Sequence, residues 1–284
     1  MIFVTISDRR TRRVMKAVHE LASTLGLEVS PRILKDSNNT IVNLAPLPLV
    51  AKVGTSHFRD ASLEALDREL DVARHLASKG APIVFPSADV PPGPHRCADL
   101  IVTLWQHYED RGPPQDDGAF GPLLARVHEQ LLDYPGSLPP FMVELEDVGR
   151  ILRDRTRLGR LRDEDYAFLR AIYEEIRSRV SSIPSDGQPL HGSPHSGNWL
   201  NTPAGLLLLD FETACRGPVE WDLSAMGDDA LDAFGRIDLD LLVLLRQMRS
   251  VCVAVKCWID PGRAPEVGEA ATVHLRLLRG EPLD

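Results

Sequence analysis

The sequence predicts an α+β protein of two lobes, a small helix-decorated sheet followed by a mostly helical half. Three observations predict it. Short β-type apolar runs bounded by turn residues cluster before residue 106. Helical spacing of apolar residues dominates after about residue 119. Between the two textures, residues 107–118 are polar and rich in Pro, Gly and Asp. The expected lobes are therefore 1–106 and 107–284.

The elements follow in order. Residues 8–25 place Val14, Val18, Leu21 and Leu25 on one helical face, with Ser7 or Asp8 as the expected cap and Gly26 beyond the end. Thr40–Leu44 and Leu49–Val53 read as two strands around an Ala45-Pro46-Leu47-Pro48 turn. Residues 61–79 form a second helix, with Leu63, Leu66, Leu70, Ala73 and Leu76 on its apolar side. Pro82–Phe85 and Leu100–Trp105 are further expected strands, separated by the PPGPH segment at 91–95. Helices are then expected at 119–133, 144–157, 163–181 and 239–258, and short strands at Trp199–Asn201 and Leu206–Asp210.

The 284 residues carry a formal net charge of -9, with 43% hydrophobic and 26% charged residues. That is an ordinary globular composition. The charge argues against a general nucleic-acid or anionic-membrane binder, which needs clustered cations, and it suits a cationic small molecule. Cys97, Cys215, Cys252 and Cys257 form no metal-type spacing, so free buried thiols in a reducing cytoplasm are expected. The start shows no apolar core of a signal peptide, and no apolar run approaches a membrane span.

The block from Leu190 to Asp210, LHGSPHSGNWLNTPAGLLLLD, concentrates the chemistry. Magnesium takes one or two hard oxygen ligands from a protein and the rest from phosphate and water. Asn198 and Asp210 offer such oxygens twelve residues apart, and Asp210 ends an apolar strand. Gly192 and Gly197 permit a tight loop. On their own, His191, Asn198 and Asp210 read equally well as capping and turn residues.

The local order adds to this. His191-Gly192 with Asn198, then Asp210-Phe211-Glu212, then Trp221-Asp222-Leu223, resembles the catalytic and metal loops of the aminoglycoside phosphotransferase family. The resemblance implies the bilobal protein-kinase-like fold, with an antiparallel-sheet amino lobe. It also implies ATP or GTP with Mg²⁺ as cofactors, a small-molecule acceptor, and Asn198 and Asp210 as metal ligands. It gives Asp222 the task of bracing the catalytic loop, against helix capping as the alternative.

Such enzymes hold the nucleotide's phosphates with a strand lysine oriented by a helix glutamate. Lys52 in VAKV and Glu69, seventeen residues on, stand in that order. Either alone reads as a surface charge. Ser37, Asn38 and Asn39 can present backbone N–H groups as a nucleotide-covering turn, or form a plain hairpin turn. The resemblance places adenine against the backbone of Leu104–His107, including Gln106. There the Trp105 side chain is either core or ligand wall.

Ser193 departs from the family pattern, whose aspartate at this place takes or orients the acceptor's proton. A serine hydroxyl is no base near neutral pH. Catalysis can survive by positioning alone, or His195 or Glu212 can substitute. The remaining reading is a pseudokinase-like protein that binds nucleotide without transfer. A fold-only relative that binds a small ligand without nucleotide is a third. The expected reaction is O-phosphorylation of a small hydroxylated molecule near Ser193. Asp228 and Asp229 either receive an amine-bearing acceptor or form a solvated helix start.

Overall fold

The computed structural model describes residues 6–55, 63–114, 117–184 and 187–282. Its helices are α1 (Ile6–Thr24), α2 (Leu63–Ser78), α3 (Phe120–Leu131), α4 (Val143–Leu152), α5 (Asp163–Val180), α6 (Val219–Leu223), α7 (Leu239–Cys257) and α8 (Pro265–Arg279). Its strands are β1 (Arg32–Asp36), β2 (Thr40–Asn43), β3 (Leu49–Val53), β4 (His95–Cys97), β5 (Leu100–Gln106), β6 (Gln188–Leu190), β7 (Trp199–Thr202), β8 (Gly205–Leu208) and β9 (Cys215–Gly217). The chain divides into two compact units. Unit 1 is Met1–Pro114 with Leu200–Glu212; unit 2 is Gln115–Trp199 with Thr213–Asp284.

Unit 1 holds a five-stranded antiparallel sheet in the order β1-β2-β3-β5-β4. Strand alternation sorts its residues between two faces. Leu49, Ala51 and Val53 of β3, with Leu100, Val102 and Leu104 of β5, join Val14, Val18 and Leu21 of α1 in one core. Lys52 alternates with them, and its Nζ meets Glu69 of α2. The apolar spacing of α2 buries Leu66, Leu70, Ala73 and Leu76, with Glu69 buried among them. The Ala45–Pro48 turn closes through Leu47 N–H to Leu44 O, 3.0 Å.

Unit 2 is built around α7, which packs against α4, α5, α6 and α8. One core cluster joins Leu145 and Val148 of α4, Leu169 and Ile176 of α5, and Leu245, Met248 and Val255 of α7. The short pair β6–β9, with Leu190 opposite Cys215, carries the chain into the 191–198 loop.

The differences from expectation have local causes. Pro82–Phe85 is extended but is no regular strand. It makes isolated bridges, Ile83 to Leu208 and Pro86 to Trp105, because Pro82 and Pro86 lack donors. The expected 144–157 helix breaks after Leu152, where Asp154 accepts from Thr156 N–H at 3.1 Å and starts a separate 3₁₀ turn. Helix α1 already runs at Ile6, and the side chains of Ser7 and Asp8, the expected caps, lie outside the described residues. Strands β1, β4, β6 and β9 and helices α6 and α8 were not expected. Helix α8 nonetheless carries Pro265 at its first turn and ends at Gly280. Cys97, Cys215 and Cys252 are buried thiols, and Cys257 is partly exposed. Among the described residues, no helix is long and apolar enough to cross a membrane.

Candidate active site

Unit 1 gathers a charged cluster on the Lys52 side of β3. The Lys52 Nζ lies 2.7 and 2.9 Å from the two Glu69 oxygens, 2.8 Å from Asp210 Oδ1 and 2.7 Å from Glu212 Oε1. One ammonium thus faces three carboxylates whose ligand atoms lie within 4.8 Å of one another. Burial alone would lower the Lys52 ammonium. Asp210, Glu212 and Glu69 outweigh it and hold it well above its ordinary value. Burial, aided by the neighbouring carboxylates and opposed by Lys52, pushes the Glu69 carboxyl up to about 8. The carboxylates thus hold the proton on Lys52, while Glu69 is raised first by its burial and further by its acidic neighbours. The cluster's hard oxygen donors fit a divalent cation.

Backbone geometry aims the cluster's third member. Asp210 follows β8 and adopts φ 71, the left-handed region that Asp tolerates better than most residues. Glu212 is tied in twice more. Asn39 Nδ2 donates to its Oε1 at 2.6 Å, and Arg68 donates to its backbone oxygen at 2.8 Å. The β1–β2 turn of Ser37, Asn38 and Asn39 is a hairpin turn, with Asp36 opposite Thr40, and Asn39 connects it to the cluster.

At the end of β5 the donors are largely committed. Leu104 N–H bonds to Pro92 O, Gln106 N–H to Phe85 O and His107 N–H to Pro48 O, each at 2.9 Å. Trp105 is buried, and its indole N–H donates to Thr103 at 2.9 Å.

In unit 2 the 191–198 loop is strapped to Asp222. Its Oδ2 accepts from His191 N–H at 2.9 Å and its Oδ1 from Gly192 N–H at 2.7 Å. These are the backbone bonds expected of that aspartate. Asp222 is fully buried. Burial would raise its pKa, but the hydrogen bond from His128 and the nearby His191 and Arg249 lower it. Arg249 grips the same loop from α7, donating to Gly192 O at 3.1 Å and Trp221 O at 2.6 Å while its guanidinium lies 3.9 Å from the Trp221 ring centroid. Gly192 has φ 91, and a Cβ there would lie 2.0 Å from the Thr213 carbonyl oxygen.

Within the loop, His191 is fully buried and its Nδ1 accepts from Ser193 N–H at 3.1 Å. Asn198 Nδ2 donates to Ser193 O at 2.9 Å, so its Oδ1 is the end not used in that bond. His195 is exposed, and its Nδ1 accepts from Gly197 N–H at 3.1 Å. Asp228 and Asp229 are exposed at the start of a 3₁₀ helix, and Asp228 pairs with Arg246 at 2.7 Å.

The structure brings Lys52, Glu69 and Asp210 together in unit 1, and His191, Ser193 and Asn198 together in unit 2. Sequence reasoning missed His128, Arg249 and Arg68. Each acts through a partner far away in sequence, and no short-range pattern marks any of them.

Solved structures share the fold. The amicoumacin kinase hAmiN, in complex with AMP-PNP, Ca²⁺ and Ami, superposes with a TM-score of 0.70 at 12% identity, covering 99% of this chain and 98% of that one. APH(2")-IIia, in a GDP and kanamycin complex, gives 0.66 at 14% identity over 93% and 97%. Choline kinase LicA from Streptococcus pneumoniae gives 0.65 at 12% over 95% and 99%. The α+β fold is thus protein-kinase-like. No curated protein matches the chain in sequence. The family model described as "Phosphotransferase enzyme family" (APH) matches residues 25–249, most of the chain, and the chain belongs to that family.

Proposed function

We propose that this protein is an ATP- or GTP-dependent, magnesium-dependent O-phosphotransferase acting on a small hydroxylated molecule. The observation that carries the reading is the Lys52 cluster, one buried ammonium among three carboxylates. In this reading Lys52 holds the nucleotide's phosphates, Glu69 orients Lys52, and Asn198 Oδ1 with Asp210 ligates magnesium. When bound, the metal supplies positive charge to the transferring phosphoryl group. The turn at Ser37, Asn38 and Asn39 covers the phosphates. The nucleobase reads carbonyl oxygens of the Leu104–His107 segment, since the N–H groups of Leu104, Gln106 and His107 are engaged. Nucleotides in the complexes of the solved relatives support ATP and GTP alike.

The acceptor oxygen forms its bond to the γ-phosphorus as the bridging phosphoanhydride bond breaks, and the hydroxyl proton leaves to solvent. Nothing in residues 191–198 is a carboxylate, so positioning carries the reaction. Asp222 and Arg249 hold the loop for that purpose. General-base help is typically worth roughly 10²–10⁴-fold, so transfer is slow. The net charge of -9, with relatives that include a choline kinase and a kanamycin complex, supports an amine-bearing acceptor. Asp228 and Asp229 are its candidate contacts. Cysteines not joined in disulfides suit a cytoplasmic protein.

A second reading, nucleotide binding without transfer, is favoured by Ser193, whose hydroxyl is no base near neutral pH. Thermal melting separates the readings in two stages. ATP with Mg²⁺ at saturating concentration raises the melting temperature of the wild type by several degrees and leaves Asp210→Ala unshifted. No shift in the wild type sinks both readings. Product analysis over amino alcohols, sugars and aminoglycosides then tests transfer. Activity that appears only in Ser193→Asp establishes the second reading.

A further inference from the structure

The β1–β2 turn contains no glycine, so its shape must come from bonds made to it. Those bonds converge on α1. A single nitrogen of Arg10, Nη2, lies 2.6 Å from Asp36 Oδ1, 2.9 Å from Ser37 O, 3.3 Å from Thr40 Oγ1 and 2.6 Å from Thr55 Oγ1. Thr40 also donates to Asp36 at 2.7 Å, and Thr55 Oγ1 reaches Asn38 O at 3.4 Å. The Arg10 side chain is only 15% exposed. One turn along, Arg13 pairs with Asp99 on open surface, with the two side chains 55% and 70% exposed. An exposed pair of that kind contributes little.

The peptide plane converts these contacts into a direction. In a trans peptide the C=O and the following N–H point opposite ways. With Ser37 O turned to Arg10 and Asn38 O turned to Thr55, the N–H groups of Asn38 and Asn39 point away from that side. Two successive N–H groups sharing a direction form an anion-binding concavity. Glycine-rich phosphate loops reach such shapes through backbone freedom; here side chains impose it.

We propose that Arg10 is a positioning residue for the nucleotide's phosphates, setting the amides of Asn38 and Asn39 from the amino-terminal helix. The inference rests on the nucleotide reading above and adds a residue to it. The test is fluorescence titration of the full chain with mant-ATP and with mant-AMP, both in Mg²⁺, alongside the melting temperature. Arg10→Ala weakens mant-ATP about tenfold or more, as loss of hydrogen bonds to a charged group predicts, and leaves mant-AMP within about twofold. Arg10→Lys recovers part of the loss, because the contacts come from one nitrogen. Arg13→Ala binds as wild type. Thr55→Val weakens mant-ATP by roughly threefold and keeps the test open where Arg10→Ala fails to fold. Unchanged mant-ATP binding in these variants, or equal loss of mant-ATP and mant-AMP, overturns the proposal alone. A wild type that binds neither probe overturns the nucleotide reading itself.

Discussion

His128 Nε2 donates to Asp222 Oδ2 at 2.8 Å, and that same oxygen accepts the backbone N–H of His191. Gln188 Nε2 donates to His128 Nδ1 at 3.2 Å, which places the imidazole proton on Nε2. A chain of bonds therefore runs from β6 through α3 to the loop that carries Ser193. His128→Ala removes one donor from a fully buried carboxylate and is expected to cost on the order of 2 kcal/mol. Urea denaturation measures it, and a midpoint equal to wild type would refute the chain.

Gly192→Ala combines a left-handed backbone with a Cβ placed 2.0 Å from Thr213 O. Neither atom can yield cheaply, because both are backbone-borne. A loss of on the order of 3 kcal/mol or more is expected. Gly205→Ala is the contrast, since its φ of 119 is equally unusual but its Cβ meets nothing within 4 Å. Equal melting temperatures for the two variants would contradict the close approach.

Lys52→Met leaves buried Glu69 and the partly exposed Asp210 and Glu212 without their counter-charge. Removing one partner of a buried pair costs about 3–5 kcal/mol. Lys52→Met/Glu69→Leu should regain part of that loss, because it withdraws a buried carboxylate as well. A double-mutant cycle reads the coupling. Additive losses would show that the contacts carry no mutual energy.

His274 gives a pH signature in unit 2. Burial, with Arg249 adding to it, lowers its pKa from 6.5 to about 4, and its Nδ1 lies 3.1 Å from Ser250 Oγ. The folded value is depressed, so the unfolded chain takes the proton first. The stability it contributes is full above pH 6.5 and is lost as pH falls from 6.5 towards 4. Across that window the loss is at most on the order of 3 kcal/mol. His274→Gln should flatten this part of the stability profile. An unchanged slope in denaturation between pH 7 and 4.5 would exclude it.

Much of the fold was legible where side chains repeat at short range. Val42, Ala51 and Val53 alternate on β2 and β3, and Leu66, Leu70 and Ala73 recur on α2; both patterns appear as expected. Lys52, Glu69 and Asp210 could be picked out only by their order along the chain, since α2 alone carries Glu64, Asp67, Glu69 and Asp71 and nothing local separates Glu69 from the others. What stayed hidden depends on partners far apart. The Asn39 to Glu212 bond spans 173 residues, and the Arg249 grip on Gly192 spans 57. Asn39 and Arg249 carry no local mark of those partners. Pro82–Phe85 misled for the opposite reason, since its apolar character was real but its prolines could not complete a ladder.

The division of the chain has a consequence for anyone wishing to take it apart. Unit 1 is not contiguous: Leu200–Glu212 returns to it after unit 2 has begun. A fragment ending at Pro114 would keep Lys52 and Glu69 but lose Asp210 and Glu212, and Ile83 and Val84 would lose their partner Leu208. The amino-terminal sheet cannot be harvested with a single cut, so a free-standing version needs residues 200–212 grafted back, as a covalent extension or an added peptide.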